Sequence, residues 1–116
     1  MTNRTPARGE IWLVDWSPGR GSEQSGRPAL IVQIDDANRN PRYPNTIVAA
    51  ISTRGREVTA HVHLRPSTGN RLTAPSFVKC EQILTISKER LERRIGVLDA
   101  PDLARVSAAL RTVLDA

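Results

Sequence analysis

Apolar residues fall into short runs separated by polar, glycine- and proline-containing stretches, a pattern typical of a small, mainly β protein. Residues 10–16 (EIWLVDW), 28–34 (PALIVQI) and 46–52 (TIVAAIS) are each predicted to form a strand rich in β-forming residues. Residues 58–64 (VTAHVHL) alternate like a half-exposed strand, and 76–85 (SFVKCEQILT) predict one or two more. The run at 28–34 is so continuously apolar that we expect both of its faces to be covered.

The segments between these strands have the composition of loops. Residues 17–26 (SPGRGSEQSG) hold three glycines, three serines and a proline, and 53–57 (TRGRE) predict a basic turn. Residues 35–45 and 65–75 are also predicted to be loops, and residues 1–8 a loose N-terminus.

Helical signals are concentrated at the C-terminal end of the chain. Ser87 is suited to cap a short helix, and residues 95–98 predict a brief strand. Asp99 is predicted to cap a longer helix, with Pro101 in its first turn. Its apolar stripe has helical spacing and comprises Leu103, Val106, Leu110 and Val113. The order of elements predicts a small, strongly curved antiparallel sheet or barrel with helical additions.

Length and charge limit the function. A chain of 116 residues predicts a single domain over residues 1–116, with any site in a surface groove or between subunits. The net charge of +5 favours a polyanionic partner. Of the 17 cationic residues 15 are arginine, which suits phosphate binding but is equally explained by a GC-rich genome. The single cysteine, Cys80, and the lack of an apolar leader predict a cytoplasmic protein.

Most standard catalytic motifs are absent from the sequence. It contains no GxSxG elbow, no phosphate-binding glycine motif and no HExxH. His61 and His63 share one face of a predicted strand, but no neighbouring carboxylate or cysteine completes a metal site. We therefore expect no metal and no cofactor, and the two histidines are interpreted as a packed or solvated pair.

Glu23 and Arg27 are the most informative polar pair from chemistry alone. Arg27 opens a buried strand, which holds a side chain more firmly than a loop does, and Glu23 lies four residues earlier in the loop. RNA cleavage by the ribose 2′-hydroxyl needs a base, which a carboxylate supplies, and a cation for the developing charge on phosphorus. The alternative is an ordinary surface ion pair, worth less than about 1 kcal/mol.

Several segments, in the same order and spacing, resemble the MazF/PemK (Kid) family of toxins. They are residues 9–16 (GEIWLVDW), 21–32 (GSEQSGRPALIV), 46–52 (TIVAAIS) and 81–86 (EQILTI), and the likeness extends over about 8–114. The resemblance implies an SH3-like barrel of the CcdB/Kid/MazF type with a C-terminal helix and one or two short additional helices. It also implies a homodimeric toxin of a toxin–antitoxin system. Such toxins cleave single-stranded RNA without a metal, leaving 2′,3′-cyclic phosphate and 5′-hydroxyl ends.

The resemblance assigns the catalytic residues. Arg27 corresponds to the main catalytic group and Glu23 to the loop glutamate that some members use as a base. The hydroxyl residue that ends the third strand aligns with Ser52, where the family usually has threonine. Either Ser52 or Thr53 is expected to supply this hydroxyl, and a shift of one residue would move the side chain to the other face of the strand.

The resemblance also points to an RNA-binding groove. Gln82 in the EQI stretch is its expected substrate contact, and Ser22 is a further one. Trp16 is a candidate for stacking on a base, with core packing as the alternative. Arginines in the flanking loops are candidates for contacts to phosphates or base edges, with simple solvation as the alternative; they are Arg20, Arg54 and Arg56.

Two other functions stay open for a chain of this pattern. One is a toxin of the same fold that binds DNA gyrase without catalysis, and the other is a non-catalytic RNA-binding barrel. The toxin interpretation also predicts a cognate antitoxin whose acidic, partly disordered tail occupies the basic groove.

Overall fold

The structure is a computed structural model that describes residues 5–16 and 25–116. Its strands are β1 (Glu10–Asp15), β2 (Ser25–Ile31), β3 (Asn45–Ser52), β4 (His61–Leu64), β5 (Ser76–Ser87) and β6 (Leu91–Val97). The helices are α1 (Asp35–Arg39) and α2 (Ala100–Leu114), with a 3₁₀ turn at Lys88–Arg90. Within the described ranges these strands form one antiparallel sheet in the order β4-β5-β3-β2-β1-β6.

The predicted fold class, mainly β with a C-terminal helix, is confirmed. The sheet ends at β4 on one side and β6 on the other, so among the described residues it is not a closed ring of hydrogen bonds, and a barrel-like fold is compatible with it. The described part of the chain contains no helix with the length and apolar character needed to cross a membrane.

Both faces of the central strands are buried. On one face Ile11, Leu30, Ala49 and their neighbours form a cluster with residues of α2. On the other face Ala29, Ile31 and further residues form a second cluster, against which two tryptophans pack. The prediction that this second strand is covered on both sides is therefore confirmed, although β2 ends at Ile31 and not at residue 34.

The main departure is α1, which lies in residues 35–45 where the composition predicts a loop. Asn38 is 1% exposed and anchors this short helix. Its Oδ1 accepts hydrogen bonds from Gln33 Nε2 (3.0 Å) and Thr46 Oγ1 (2.8 Å), and its Nδ2 donates to the carbonyl of Gln33 (2.9 Å). Lys88 Nζ donates to the carbonyls at the end of the helix, the shortest bond being 2.9 Å to Asn38. Tertiary contacts therefore stabilise α1, which has no helical periodicity in its sequence.

The C-terminal prediction is largely confirmed. Asp99 caps α2 by accepting a hydrogen bond from the Asp102 backbone N–H (2.9 Å). Val106 is buried, but Val113 in the predicted stripe is 37% exposed, and the other residues of the last helical turn are exposed as well. The helix predicted at Ser87 is only the 3₁₀ turn, and β6 is longer than the strand expected at 95–98 because it pairs along β1.

The predicted loose N-terminus also differs where the structure describes it. The Arg8 backbone N–H donates to Asp35 Oδ1 (2.7 Å) and its guanidinium donates to Ser107 Oγ (2.8 Å). The Ala7 backbone N–H donates to Glu10 Oε1 (2.8 Å). Residues 7 and 8 are thus fixed to the body of the protein.

Candidate functional site

A groove of about 540 Å³ lies where β2, β3 and β5 are neighbours in the sheet. Its floor is formed by small and aliphatic side chains of these strands. The polar and aromatic side chains that line it are Trp16, Arg27, Ser52, Lys79, Glu81 and Gln82.

An irregularity between β1 and β2 sets the position of Arg27. In the register Val14 pairs with Arg27, whereas Asp15 pairs with Ser25, so Gly26 is an extra residue in β2. Gly26 has a φ of +84°, which glycine adopts without the penalty that a side chain brings. Arg27 is exposed at the groove, and the strand beyond it is buried. The guanidinium is thus carried by a firmly held backbone.

A larger bulge in β5 brings two polar residues to the groove. Ala50 pairs with Lys79, but the adjacent Ala49 pairs with Ile83, so residues 80–82 are extra in β5. Neighbouring residues on a regular strand point to opposite faces, and a bulge changes this alternation. Both Glu81 and Gln82 consequently line the groove.

Ser52 is the groove hydroxyl at the end of β3. Its Oγ accepts a hydrogen bond from the Arg54 backbone N–H (3.1 Å), which leaves its own proton available to a ligand. Thr53 is exposed in the turn that follows, and within the described chain it is not among the residues that line the groove. Of the two predicted hydroxyls, Ser52 is the one that lines the same groove as Arg27.

The turn after β3 carries Arg54 and Arg56, both exposed. Gly55 lies against Phe77, and a Cβ at this position would come within 2.4 Å of the ring, so the turn requires glycine. The rings of His61 and His63 also contact Phe77, with centroid distances of 6.2 and 5.0 Å. Neither arginine is among the described groove-lining residues, but the turn that carries them is fixed beside the groove.

His61 connects this turn to the groove. Its Nδ1 accepts a hydrogen bond from the Arg56 backbone N–H (3.0 Å), so its proton is on Nε2, which donates to Glu81 Oε2 (2.8 Å). The His61 side chain is 10% exposed, whereas that of Glu81 is 43% exposed. A largely buried imidazole therefore holds a carboxylate that faces solvent in the groove.

Two groups in the bulge have altered acidity. Burial raises the pKa of the Glu81 carboxyl, but the hydrogen bond from His61, a backbone hydrogen bond and the charge of Lys79 together bring this pKa below its ordinary value. Burial, assisted by the charge of Glu81, raises the pKa of the Cys80 thiol to about 11. Glu81 is thus ionised at neutral pH, and Cys80 is an uncharged, buried side chain.

The structure brings together four of the predicted site residues: Arg27, Ser52, Gln82 and Trp16. Trp16 both packs against the second core cluster and lines the groove, so the two interpretations of this residue are compatible. Three predicted residues, Arg20, Ser22 and Glu23, lie outside the described residues. Sequence reasoning did not single out Lys79 and Glu81.

Within residues 5–16 and 25–116, no three His, Cys, Asp or Glu side chains group closely enough to hold a metal ion. His61 uses both ring nitrogens in hydrogen bonds to protein groups. The interpretation of the two histidines as a packed pair agrees with their contacts to Phe77.

Comparisons with known proteins connect this geometry to a family. A family model for PemK-like, MazF-like toxins of type II toxin–antitoxin systems matches residues 7–114. The chain is 40% identical over 113 residues to endoribonuclease MazF9 of Mycobacterium tuberculosis, covering 93% of this chain and 95% of that protein. It is 37% identical over 106 residues to endoribonuclease MazF of Staphylococcus saprophyticus, covering 89% and 86% of the two proteins.

Solved structures give the same relationship. An endoribonuclease from a mycobacterial species, in complex with its cognate antitoxin, matches with a TM-score of 0.78 and 25% identity over 95% of each chain. MazF from Deinococcus radiodurans matches in fold, with a TM-score of 0.74 and 22% identity over 97% of this chain and 98% of that chain. With the family model matching nearly the whole chain, this protein belongs to the PemK/MazF family of toxins of type II toxin–antitoxin systems.

Proposed function

We propose that this protein is the toxin of a toxin–antitoxin pair and a sequence-specific endoribonuclease that cleaves single-stranded RNA. The 2′-hydroxyl of the substrate attacks the adjacent phosphorus and the bond from phosphorus to the 5′-oxygen breaks. The departing 5′-oxygen, hydrogen-bonded by Arg27, takes a proton from water, which gives 2′,3′-cyclic phosphate and 5′-hydroxyl ends. Because the nucleophile belongs to the substrate, the reaction needs no metal. Cleavage of mRNA in the cytoplasm then inhibits translation and growth.

The observation that carries this proposal is Arg27 at the edge of a groove in a chain of this family. A guanidinium on a firmly held strand is a preorganised partner for the charge that develops on phosphorus in the transition state. Lys79 adds a second cation to the same groove and suits the phosphates on either side of the cut.

Each remaining group has one role in this mechanism. Glu23, four residues before Arg27 in the sequence, takes the proton of the 2′-hydroxyl. The Ser52 hydroxyl donates to a non-bridging phosphate oxygen. Gln82 and Trp16 bind bases, through hydrogen bonds and stacking respectively.

A cognate antitoxin and a second copy of the toxin complete the proposed assembly. A mycobacterial relative of similar fold is known in complex with its cognate antitoxin. In this protein an acidic antitoxin tail occupies the groove in place of RNA, because the groove cations attract both. The working form is a homodimer.

The test is cleavage of a long single-stranded RNA in excess EDTA by the unmodified protein and by Arg27→Ala. Loss of one preorganised donor of this kind typically lowers the rate by about 10²–10³, and we expect this loss under single-turnover conditions. Arg42→Ala is the matched control, because Arg42 is an exposed arginine outside the described groove and its replacement gives the same net charge. The ends of all fragments are mapped.

Discrete cuts with cyclic-phosphate ends, made by the unmodified protein and by Arg42→Ala, are the expected result. If Arg27→Ala cuts within threefold of the unmodified rate, Arg27 is not the catalytic cation. Intact RNA that is nevertheless bound would indicate a non-catalytic RNA-binding barrel. Intact, unbound RNA, together with inhibition of DNA gyrase, would indicate the gyrase-binding type of toxin.

A further inference from the structure

Glu81 is an unexpected residue in a groove for a polyanion. Among the described residues that line the groove it is the only carboxylate, and it lies in the same groove as Arg27 and Lys79. A carboxylate repels the phosphates that those cations attract, so contact with the RNA backbone would weaken binding. Its presence is explained if it meets a hydrogen-bond donor, and in RNA such donors lie on the base edges and the 2′-hydroxyls.

The Glu81 carboxylate is held in place and is not a mobile surface group. Oε2 accepts the hydrogen bond from His61 Nε2 at 2.8 Å, and the imidazole is itself fixed by the Arg56 backbone N–H at 3.0 Å. A carboxylate accepts about four hydrogen bonds, so this contact leaves acceptor positions on both oxygens. Its 43% exposure makes them accessible to a ligand in the groove.

The acidity of Glu81 argues against its being the general base. A general base is most effective when its pKa lies close to the working pH. Burial raises the pKa of Glu81, but the hydrogen bond from His61 is the main cause that brings it below its ordinary value. An ionised carboxylate with acceptor positions on both oxygens is instead suited to recognition.

We propose that Glu81, positioned by His61, reads one base of the RNA by accepting hydrogen bonds from the Watson–Crick edge, which makes it a determinant of the cleavage sequence. This inference rests on the endoribonuclease function proposed above. Guanine is the best complement, because its N1–H and N2–H₂ donors are adjacent and match the two carboxylate oxygens. Uracil is the worst, because carbonyl oxygens flank its single N3–H donor and repel the carboxylate.

The roles of the two residues differ. Glu81 contacts the base, whereas His61 is a positioning residue that fixes the carboxylate and ties it to the turn bearing Arg54 and Arg56. Loss of His61 is therefore expected to reduce base selectivity most strongly at the position that Glu81 reads.

The test uses a single-stranded RNA library randomised around the cut, with cleavage rates resolved for each base at each position. The variants are Glu81→Gln, which keeps the shape but presents one donor and one acceptor group, and His61→Phe, which keeps a ring beside Phe77. The matched control is His63→Phe, the same change at the neighbouring histidine whose ring also contacts Phe77. Circular dichroism verifies that each variant is folded.

We expect the unmodified protein to prefer guanine over uracil at one position, and this preference to fall by about tenfold in Glu81→Gln. His61→Phe is expected to lose selectivity at the same position, whereas His63→Phe keeps it. If Glu81→Gln does not fold, His61→Phe tests the same position.

Other results would overturn the inference. If Glu81→Gln keeps every preference, or slows cleavage of all sequences equally, Glu81 does not read a base. If His61→Phe and His63→Phe have the same base preferences, His61 does not position the Glu81 carboxylate. Intact RNA with the unmodified protein would remove the proposed function and this inference together, whereas normal cutting with unchanged preferences removes the inference alone.

Discussion

Ser52 and Thr53 show how one position along a strand decides which hydroxyl meets a ligand. Ser52 still belongs to β3 and lines the groove, whereas Thr53 lies in the exposed turn. The hydrogen bond from the Arg54 backbone N–H occupies a lone pair on Ser52 Oγ and so directs its proton elsewhere. The structure therefore favours Ser52 as the donor to phosphate.

Replacement of Ser52 by alanine is expected to slow cleavage about 10- to 100-fold, because hydrogen bonds to charged groups contribute about 1.5–3 kcal/mol. Thr53→Ala is expected to lose less than threefold. Single-turnover rates on one RNA substrate distinguish the two, and Ser52→Thr, which restores a hydroxyl, should recover most of the rate lost in Ser52→Ala. A larger loss in Thr53→Ala than in Ser52→Ala would reverse the assignment.

The residues that sequence reasoning found and missed differ for a physical reason. Arg27 and Gln82 lie in segments whose order and spacing resemble a known family. Glu81 is next to Gln82, and on a regular strand neighbouring side chains point to opposite faces, so only one of the two would face the groove. The bulge in β5 brings both to it, and a bulge of this kind has no periodic signature in the sequence.

Among the elements, α1 is stabilised by the buried side chain of Asn38, which ties it to Gln33, just after β2, and to Thr46, near the start of β3. Asn38→Ala would remove one hydrogen-bond acceptor from Gln33 Nε2 and the acceptor of Thr46 Oγ1. Both of these side chains are buried. Buried polar groups without partners destabilise by about 1–3 kcal/mol each. We expect Asn38→Ala to lower the free energy of unfolding by about 3 kcal/mol in urea denaturation.

Asn40→Ala is the control for this prediction, because Asn40 is exposed at the end of the same helix. Its effect on the free energy of unfolding should stay below about 0.5 kcal/mol. Equal losses in the two variants would show that the buried network does not stabilise α1.

Element types were more predictable than element limits. Strands β1, β2, β3 and β5 are evident because apolar runs mark them, and Asp99 marks the start of α2. The five-residue α1 was not predictable, since too few residues are present to show helical periodicity and its stability comes from distant partners such as Lys88. Strand β4 is shorter than expected because residues 58–60 belong to the turn before it.

For the protein as one charged body, the net charge of +5 acts through the cations that line the groove. Binding of single-stranded RNA releases counterions, so the logarithm of the affinity falls with the logarithm of salt concentration by about 0.7 per phosphate neutralised. We expect the cleavage-deficient Arg27→Ala protein to show this dependence. Adding Lys79→Ala should make the slope shallower by about 0.7.

Arg42→Ala, added to Arg27→Ala, is the control, because it removes the same charge outside the described groove. The slopes are obtained from affinities measured by fluorescence anisotropy at about 50 to 200 mM salt, because the affinity changes strongly over this range. An equal change of slope in the two double variants would mean that overall charge, and not the groove, determines RNA binding.

The bulge in β5 has a consequence for how such proteins diversify. Glu81 and Gln82 have no register partner on β3 or β4 among the described strands, so substitutions there do not disturb the cross-strand pairs of the sheet. The positions proposed to choose the RNA sequence are thus separated from those that maintain the fold. We expect mutation at these two positions to alter the choice of target while the cross-strand pairs of the sheet are kept, so that one architecture can give rise to toxins with different targets.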